Sequence, residues 1–407
     1  MDSIYIDLAK KYGTPLYAYN VNMIKSQIED YLKYFKSDLF DTEISYASKA
    51  LSIKEIIRIV KSYNLSLDVV SLGECYTAIE TGFNPKNIYF HGNNKTIEEI
   101  DYLLKNNVGY VVVDSYDDLS NINEEAIKLK KNINVLVRLN LGIDAHTHKY
   151  INTSYIDSKF GIIYKCEEFY DIMGLLTKSD NLNFVGFHSH IGSQIFDLSA
   201  YEREIDKFID VIKDYNKKLV INLGGGFGCH YTKEDNPAPI GVAMKRIISY
   251  MENKLKENDL SIAKLMIEPG RSIVCEAGST IYSIGNIKKT PNRLYYFVDG
   301  GMADNIRPAL YQAKYDAFIP NKEGDEDVTI AGKCCESGDI LIENIKLPLA
   351  KKGDILVVKS TGAYGYSMAS NYNKLLKPAV VFFDLENKTD KLVCERESLK
   401  HIIDGEK

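Results

Sequence analysis

Lys49 sits in the run ISYASKAL, among Tyr, Ala, Ser and Leu, where a β-rich chain is entering a core. An ammonium group in such surroundings must be paired, lose its proton, or reach out to solvent along its own stem. A lysine that gives up its proton can hold a carbonyl cofactor covalently, so Lys49 is a candidate nucleophile. Further on, HSHIGS brings His188, His190 and Ser193 together. LGGGFG places Gly224, Gly225 and Gly226 in a row, and EPGR supplies Glu268 and Arg271. Three successive glycines carry no side chains, so their N–H groups can approach and cradle an oxyanion. A plain flexible loop is the bland alternative, and the position of the run favours the cradle.

A phosphate cradle, a lysine and a carboxylate together suggest pyridoxal phosphate. Lys49 would form the Schiff base with its aldehyde. Glu268 would keep the pyridine nitrogen protonated, which makes the ring an electron sink. His190 is suited to stack on that ring, and Ser193 and the glycines to hold the phosphate. The histidines also allow a different chemistry. HSH and the HTH of residues 146–148 are His-x-His pairs, which metal-dependent barrel hydrolases use at a strand end. Alternate residues of a strand point the same way, so His188 and His190 could both ligate a metal, or one could belong to the core.

These residues need a frame that brings strand ends together. Between residues 40 and 270, β-rich runs at 44–48, 66–70, 87–91, 109–114, 134–140, 184–190, 218–223 and 263–268 alternate with stretches of helical periodicity. Such alternation implies a parallel sheet. Eight units fit a closed (β/α)8 TIM-like barrel, of usual size about 250 residues, better than an open doubly wound sheet, whose glycine-rich turn follows its first strand. Here that turn follows the seventh run. Barrel active sites lie at the C-terminal ends of the strands, and Lys49, His91, Arg138, the HSH run and Glu268 all fall at or near such ends. After residue 272 strand-like runs and turn residues dominate, as in STIYSIGNI, RLYYFVDGG and KPAVVFFDL. We therefore expect a barrel over 25–272 and a mostly β, sandwich or Greek-key-like domain over 273–407. The strand-like YGTPLYAYN places segment 1–24 with the latter.

Composition narrows the classes. Hydrophobic residues at 45% and charged residues at 26% describe a soluble globular protein. A net charge of −6 with no basic arm gives no reason to expect nucleic acid. No run reaches the length of a membrane span, and MDSIYIDLAKKYG lacks the apolar segment of a signal peptide. Seven scattered cysteines fit reduced thiols and a cytoplasmic location.

The motifs YASKAL, DVVSLGE, HGNNKT, RLNLGIDAHTHKYI, GFHSHIGSQ, NLGGGFG, EPGRSIV, VDGGMADNIRPALY, CESGD and TGAYGYSMASNYN stand in family order along nearly the whole chain. The sequence thereby resembles the fold-type III pyridoxal-phosphate decarboxylases, in the branch that acts on diaminopimelate. The resemblance implies a carbon–carbon lyase that turns meso-diaminopimelate into L-lysine and CO2. It also implies a homodimer whose active site is shared across the interface. Lys49 then looks like the Schiff-base lysine, His190 the ring-stacking residue, and Glu268 the partner of the pyridine nitrogen. Ser193, Gly224, Gly225, Gly226 and Tyr364 look like the phosphate cradle. Arg271, Arg307, Tyr311 and Tyr364 match residues that hold substrate. Cys335 matches the proton donor and Glu336 the ligand of the distal ammonium, both supplied by the second subunit. Lys333 and Cys334 depart from the family's turn before Cys335, and THKY departs after the fifth strand. A distal carboxylate suits arginine, whereas lysine or ornithine as substrate would leave two arginines unpaired. A related lysine- or ornithine-type decarboxylase is the nearest alternative. A non-catalytic relative and a metal-dependent hydrolase are more remote ones. A racemase normally sets an arginine, not a glutamate, against the pyridine nitrogen.

Overall fold

The computed structural model describes residues 3–143 and 158–407, which leaves the HTH pair at 146–148 outside the described residues. The chain divides into two compact units. One comprises residues 27–228 and 237–270, the other residues 1–26, 229–236 and 271–407.

The first unit is a closed parallel barrel. Its strands are β1 (Asp41–Ala47), β2 (Ser66–Val69), β3 (Ile88–Phe90), β4 (Tyr110–Val113), β5 (Ile133–Asn140), β6 (Leu182–His188), β7 (Val220–Asn222) and β8 (Lys264–Ile267). Each pairs in parallel with the next, and β8 pairs with β1 through Lys264–Asp41 to Ile267–Ile44, which closes the ring. All eight runs expected from the sequence are strands of this barrel.

Alternation along each strand sorts side chains into lumen layers. Near the N-terminal end Glu43 accepts hydrogen bonds from Ser66 and Tyr89 and pairs with Lys264. Above it Tyr89, Val112, Leu136 and Met266 form an apolar plug. Two residues further along the same strands come His91, Arg138 and Glu268. The plug underlies these polar groups, which stand at the C-terminal end of the lumen.

The turns leaving several strands are fixed by short polar caps. Ser71 caps helix Leu72–Glu80, Thr96 and Glu99 form a capping box on Ile97–Lys105, and Ser115 caps Tyr116–Leu129. Each cap satisfies an otherwise orphaned N–H and sets where the chain reverses.

In the second unit the nine-stranded sheet is mixed. Its main path runs Ile340–Leu347, Glu326–Ala331, Leu294–Val298, Gly278–Lys289, Leu16–Asn20, Ala379–Asp384 and Thr389–Cys394. Gly278–Lys289 is long enough to serve two pairings. Its first half pairs with Leu16–Asn20 and Ile355–Val358, and after a register shift between Ile284 and Asn286 it pairs with Leu294–Val298. Helix Ser3–Tyr12 buries Leu8 and Ala9 against Leu16, Ala18, Ile281, Val381 and Phe383. None of the helices searched is long and apolar enough to cross a membrane.

Candidate active site

In the barrel unit, polar side chains converge at the C-terminal strand ends. Glu268 follows β8 and is 6% exposed. Its Oε1 accepts a bond from Asn222 Nδ2 at 2.7 Å, and its Oε2 one from His188 Nε2 at 3.1 Å. His91, directly after β3, sets its Nε2 3.2 Å from Glu268 Oε1 and 3.5 Å from Asp68 Oδ1. Burial alone would raise the Glu268 pKa, but His188 and His91 outweigh it and hold the carboxyl well below its usual range. Burial lowers His91 too, yet Asp68 and Glu268 bring it out above the ordinary histidine value. His188 is pushed down to about 4, chiefly by burial, so it is neutral and donates through Nε2. Asp68 is raised to about 6 by burial, with Glu268 adding and His91 opposing.

His91, His188 and Glu268 also lie close enough together to chelate a cation, their ligand atoms all within 4.8 Å of one another. A metal would need lone pairs that this arrangement spends otherwise: Asn222 donates to one carboxylate oxygen and His188 to the other, and the two acids draw His91 toward its protonated form. The two histidines of HSH thus part company, since His188 belongs to Glu268 and His190 to the glycine loop.

That loop packs tightly. Gly224 has φ +66°, and a Cβ there would lie 2.5 Å from Ser189 O and 2.9 Å from His190 Nδ1. At Gly225 a Cβ would come 2.2 Å from Glu268 O. Gly224 N–H donates to Asn222 Oδ1 and Gly225 N–H to His190 Nδ1. Gly226 is the glycine of the three whose N–H is spent in neither bond. The glycines therefore let the β7 turn close against His190 and Glu268 as well as offering a cradle. His190 is half-buried, and burial, then the charges of Lys49 and Arg138, hold its ring well below the usual histidine pKa. Ser193 is half-buried just beyond it.

Lys49 corrects one expectation. It does not sit desolvated on the strand. Strand pairing stops at Ala47, and the 3-10 turn Ser48–Ala50 swings the lysine into the open between two buried neighbours. The nearby Lys95 is the buried one. Its Nζ binds Gly92 O, Val112 O and Asp118 Oδ2 at 2.6, 2.8 and 2.6 Å, which ties down the turn after His91.

The second unit holds a separate cluster. Arg271 and Arg307 are each 7% exposed. Arg271 donates to the Tyr231 hydroxyl, and Arg307 to that of Tyr315 at 2.6 Å. The Tyr231 ring faces both guanidiniums, at 5.5 and 4.9 Å, and the Tyr364 ring faces Arg271 at 4.8 Å and Arg307 at 5.9 Å. Tyr364 reaches this position with a left-handed backbone, φ +61°. Tyr311 stands one turn on from Arg307 and is not among the rings either guanidinium faces; Tyr315 takes that place. Sequence reasoning passed over Tyr231 and Tyr315, which no quoted motif covers. Cys335 and Glu336 are exposed, on a turn organised by Asp339, which accepts N–H bonds from Met302 and Cys334 at 2.6 and 2.7 Å.

Residues 23–275 match the family model of the pyridoxal-dependent decarboxylases, pyridoxal binding domain. The diaminopimelate decarboxylase of Bacillus methanolicus is 45% identical, over 97% of this chain and 93% of its own length. That of Bacillus subtilis (strain 168) is 43% identical, over 99% and 93%. The chain belongs to the diaminopimelate decarboxylase family.

Solved members of the family share its fold. The M. jannaschii enzyme, in co-complex with L-lysine, aligns over 99% of this chain and 94% of its own with TM-score 0.92 at 34% identity. The Helicobacter pylori enzyme complexed with L-lysine aligns over 98% of both chains with TM-score 0.88 at 31% identity. The barrel residues fit a pyridoxal cofactor on chemical grounds. Glu268 is an ionised carboxylate held in a buried chamber, His190 is an uncharged flat ring, and the glycine loop leaves no Cβ in the way.

Proposed function

We propose that this protein decarboxylates meso-diaminopimelate to L-lysine and CO2 with pyridoxal phosphate as cofactor. The observation that carries the substrate is the pair of buried guanidiniums, Arg271 and Arg307, brought together over one tyrosine ring. Two fixed forks in low dielectric suit a carboxylate, which a lysine or ornithine substrate does not carry at its far end.

Lys49 is the amine that anchors the cofactor aldehyde, and its exposure leaves it accessible for that exchange. Gly226, Ser193 and Tyr364 bind the phosphate, with Gly224 and Gly225 shaping the turn. When bound, the cofactor supplies an electron sink for the bond to the departing carboxylate. Glu268, ionised, holds the proton on the pyridine nitrogen. His190, neutral, gives the ring a flat face without setting a second cation against the pyridinium. Arg271 and Arg307 grip the distal carboxylate, and Tyr311 and Tyr364 line the substrate. Cys335 returns a proton to the reacting carbon, and Glu336 holds the distal ammonium. Both stand exposed, which suits delivery to a second subunit in a homodimer. Seven free cysteines suit a cytoplasmic protein.

The deciding test incubates cofactor-loaded protein with meso-diaminopimelate, L-lysine and L-ornithine in parallel, following CO2 and the amino-acid product. CO2 and lysine from diaminopimelate alone are expected. Release from lysine or ornithine instead would overturn the role given to the two arginines.

A further inference from the structure

We infer that His91 and His188 are positioning residues for Glu268, one wedged between its carboxylate and that of Asp68 and the other clamping it by a hydrogen bond. The inference rests on the role proposed above for Glu268 and goes on to say what makes that role possible.

A bare carboxylate 6% exposed is costly, and in an apolar chamber it would take up a proton rather than stay charged. A protonated Glu268 could not keep a pyridine nitrogen protonated. The structure answers with two different imidazoles. His188 donates from Nε2 to Oε2 at 3.1 Å and fixes the rotation of the carboxylate. His91 Nε2 lies 3.2 Å from Oε1 and 3.5 Å from Asp68 Oδ1, between two carboxylates. The His91 and His188 rings stand in a T-shaped contact, centroids 4.9 Å apart at 73°.

The acceptor count gives the arrangement a purpose. Each carboxylate oxygen offers two acceptor positions. On Oε1 one goes to Asn222 and the other side faces His91; on Oε2 one goes to His188. One position on Oε2 stays open for a further N–H donor. The charges fit as well. The two acids draw His91 above the ordinary histidine value, burial takes His188 down to about 4, and the two histidines hold Glu268 well below the usual carboxylate range, so negative charge stays on Glu268 to set against a pyridinium. Among the described residues, Arg138 from β5, His190 after β6 and Lys49 after β1 also act on these groups, as do Glu74 on Asp68, Asp114 on Arg138 and, with a smaller effect, Glu204 on Glu268.

The test uses holoenzyme carrying cofactor labelled with 15N at the ring nitrogen. Two readouts are taken, the ring-nitrogen chemical shift, which reports its proton directly, and the pH profile of kcat. His188→Leu and His91→Leu are each expected to raise the acid limb of the profile and move the shift toward the unprotonated value. They should lower kcat at neutral pH about ten- to hundredfold, the worth of a charge-assisted hydrogen bond. His188→Gln, which keeps an N–H donor at the same reach, should restore most of the loss. His91→Asn, which removes the imidazole but keeps a polar side chain, should move the limb the same way as His91→Leu, and it carries the test should the leucine variants fail to fold. Leucine and Asn variants that keep the wild-type limb and shift would overturn the inference. Glu268→Gln separates the two levels. A wild-type shift in that variant would sink the reading of Glu268 itself, whereas a changed shift there with unchanged histidine variants would sink only the clamp.

Discussion

Tyr231→Phe should weaken substrate binding and leave the chemical step alone. The Tyr231 ring faces both Arg271 and Arg307, and its hydroxyl accepts from Arg271 Nη1. Phenylalanine keeps the ring, and with it most of the attraction of the two cations for an aromatic face, roughly 0.5–2 kcal/mol each. What goes is one buried hydrogen bond to a charged donor, worth about 1.5–3 kcal/mol. Part of that appears as lost stability, because Arg271 keeps its burial and loses an acceptor. The part that reaches catalysis is the freedom the guanidinium regains, which substrate must then remove; about 1 kcal/mol of it raises KM roughly fivefold. Steady-state CO2 release should show KM up, kcat within twofold, and the inhibition constant for L-lysine raised by the same factor, since lysine keeps the carboxylate that the arginines hold. Tyr231→Leu removes the ring as well and should be worse on all three. A fall in kcat at unchanged KM would refute the reasoning, because it would put Tyr231 at the reacting carbon.

Other perturbations follow from buried charge. Lys95→Met leaves the buried Asp118 carboxyl without its cation, a loss of about 3–5 kcal/mol in denaturant unfolding. Adding Asp118→Leu should recover much of it, and a double variant as unstable as the single would count against the pairing argument. Glu204 is fully buried, and burial raises its pKa well above the usual carboxylate value. The folded state therefore keeps a proton that the unfolded chain sheds above about pH 4.3, so its contribution is complete below that pH and declines as pH rises toward the folded pKa. Glu204→Gln should remove a decline of about 1.4 kcal/mol per pH unit in that window, and a variant with the wild-type pH slope would show that Glu204 is ionised when folded. Asp339→Asn turns an amide N–H against Met302 N–H or Cys334 N–H, so it should cost about 1–3 kcal/mol in thermal unfolding and lower turnover through Cys335. Unchanged stability would mean that the turn holds without it.

The barrel was legible because its signal is local and repeated. Each strand alternates or runs apolar for a few residues, then meets a turn and a helical period, and eight such units admit few closed arrangements. Alternation also placed Glu268 and Arg138 at one end of the lumen. Pairings across the barrel were not legible. His91 and His188 are separated by almost a hundred residues, and only the shear of the closed sheet decides that His91, not His190, meets His188 and Glu268. The HSH spacing therefore suggested a pair that the fold separates. Tyr231 and Tyr315 escaped for another reason. A tyrosine in a loop carries no periodic signal, and its value comes from two arginines placed by other segments.

Lys49 shows why a buried-lysine argument can mislead while its chemistry stands. The sequence around it is apolar because Ser48 and Ala50 are buried, and that says nothing of the residue between them in a 3-10 turn. An ammonium that must exchange partners on every turnover gains from being reachable, whereas one that must stay put gains from burial. Lys49 and Lys95, both near C-terminal strand ends of the barrel, are one of each kind. Lys95, with three bonds at 2.6–2.8 Å, cannot leave without stranding Asp118 and two carbonyls. Lys49 can leave at little cost. Of the two, Lys49 is the one that can act as a nucleophile that comes and goes, and Lys95→Met should accordingly destabilise the fold, while Lys49→Met should abolish turnover and leave the unfolding midpoint of the cofactor-free protein within error.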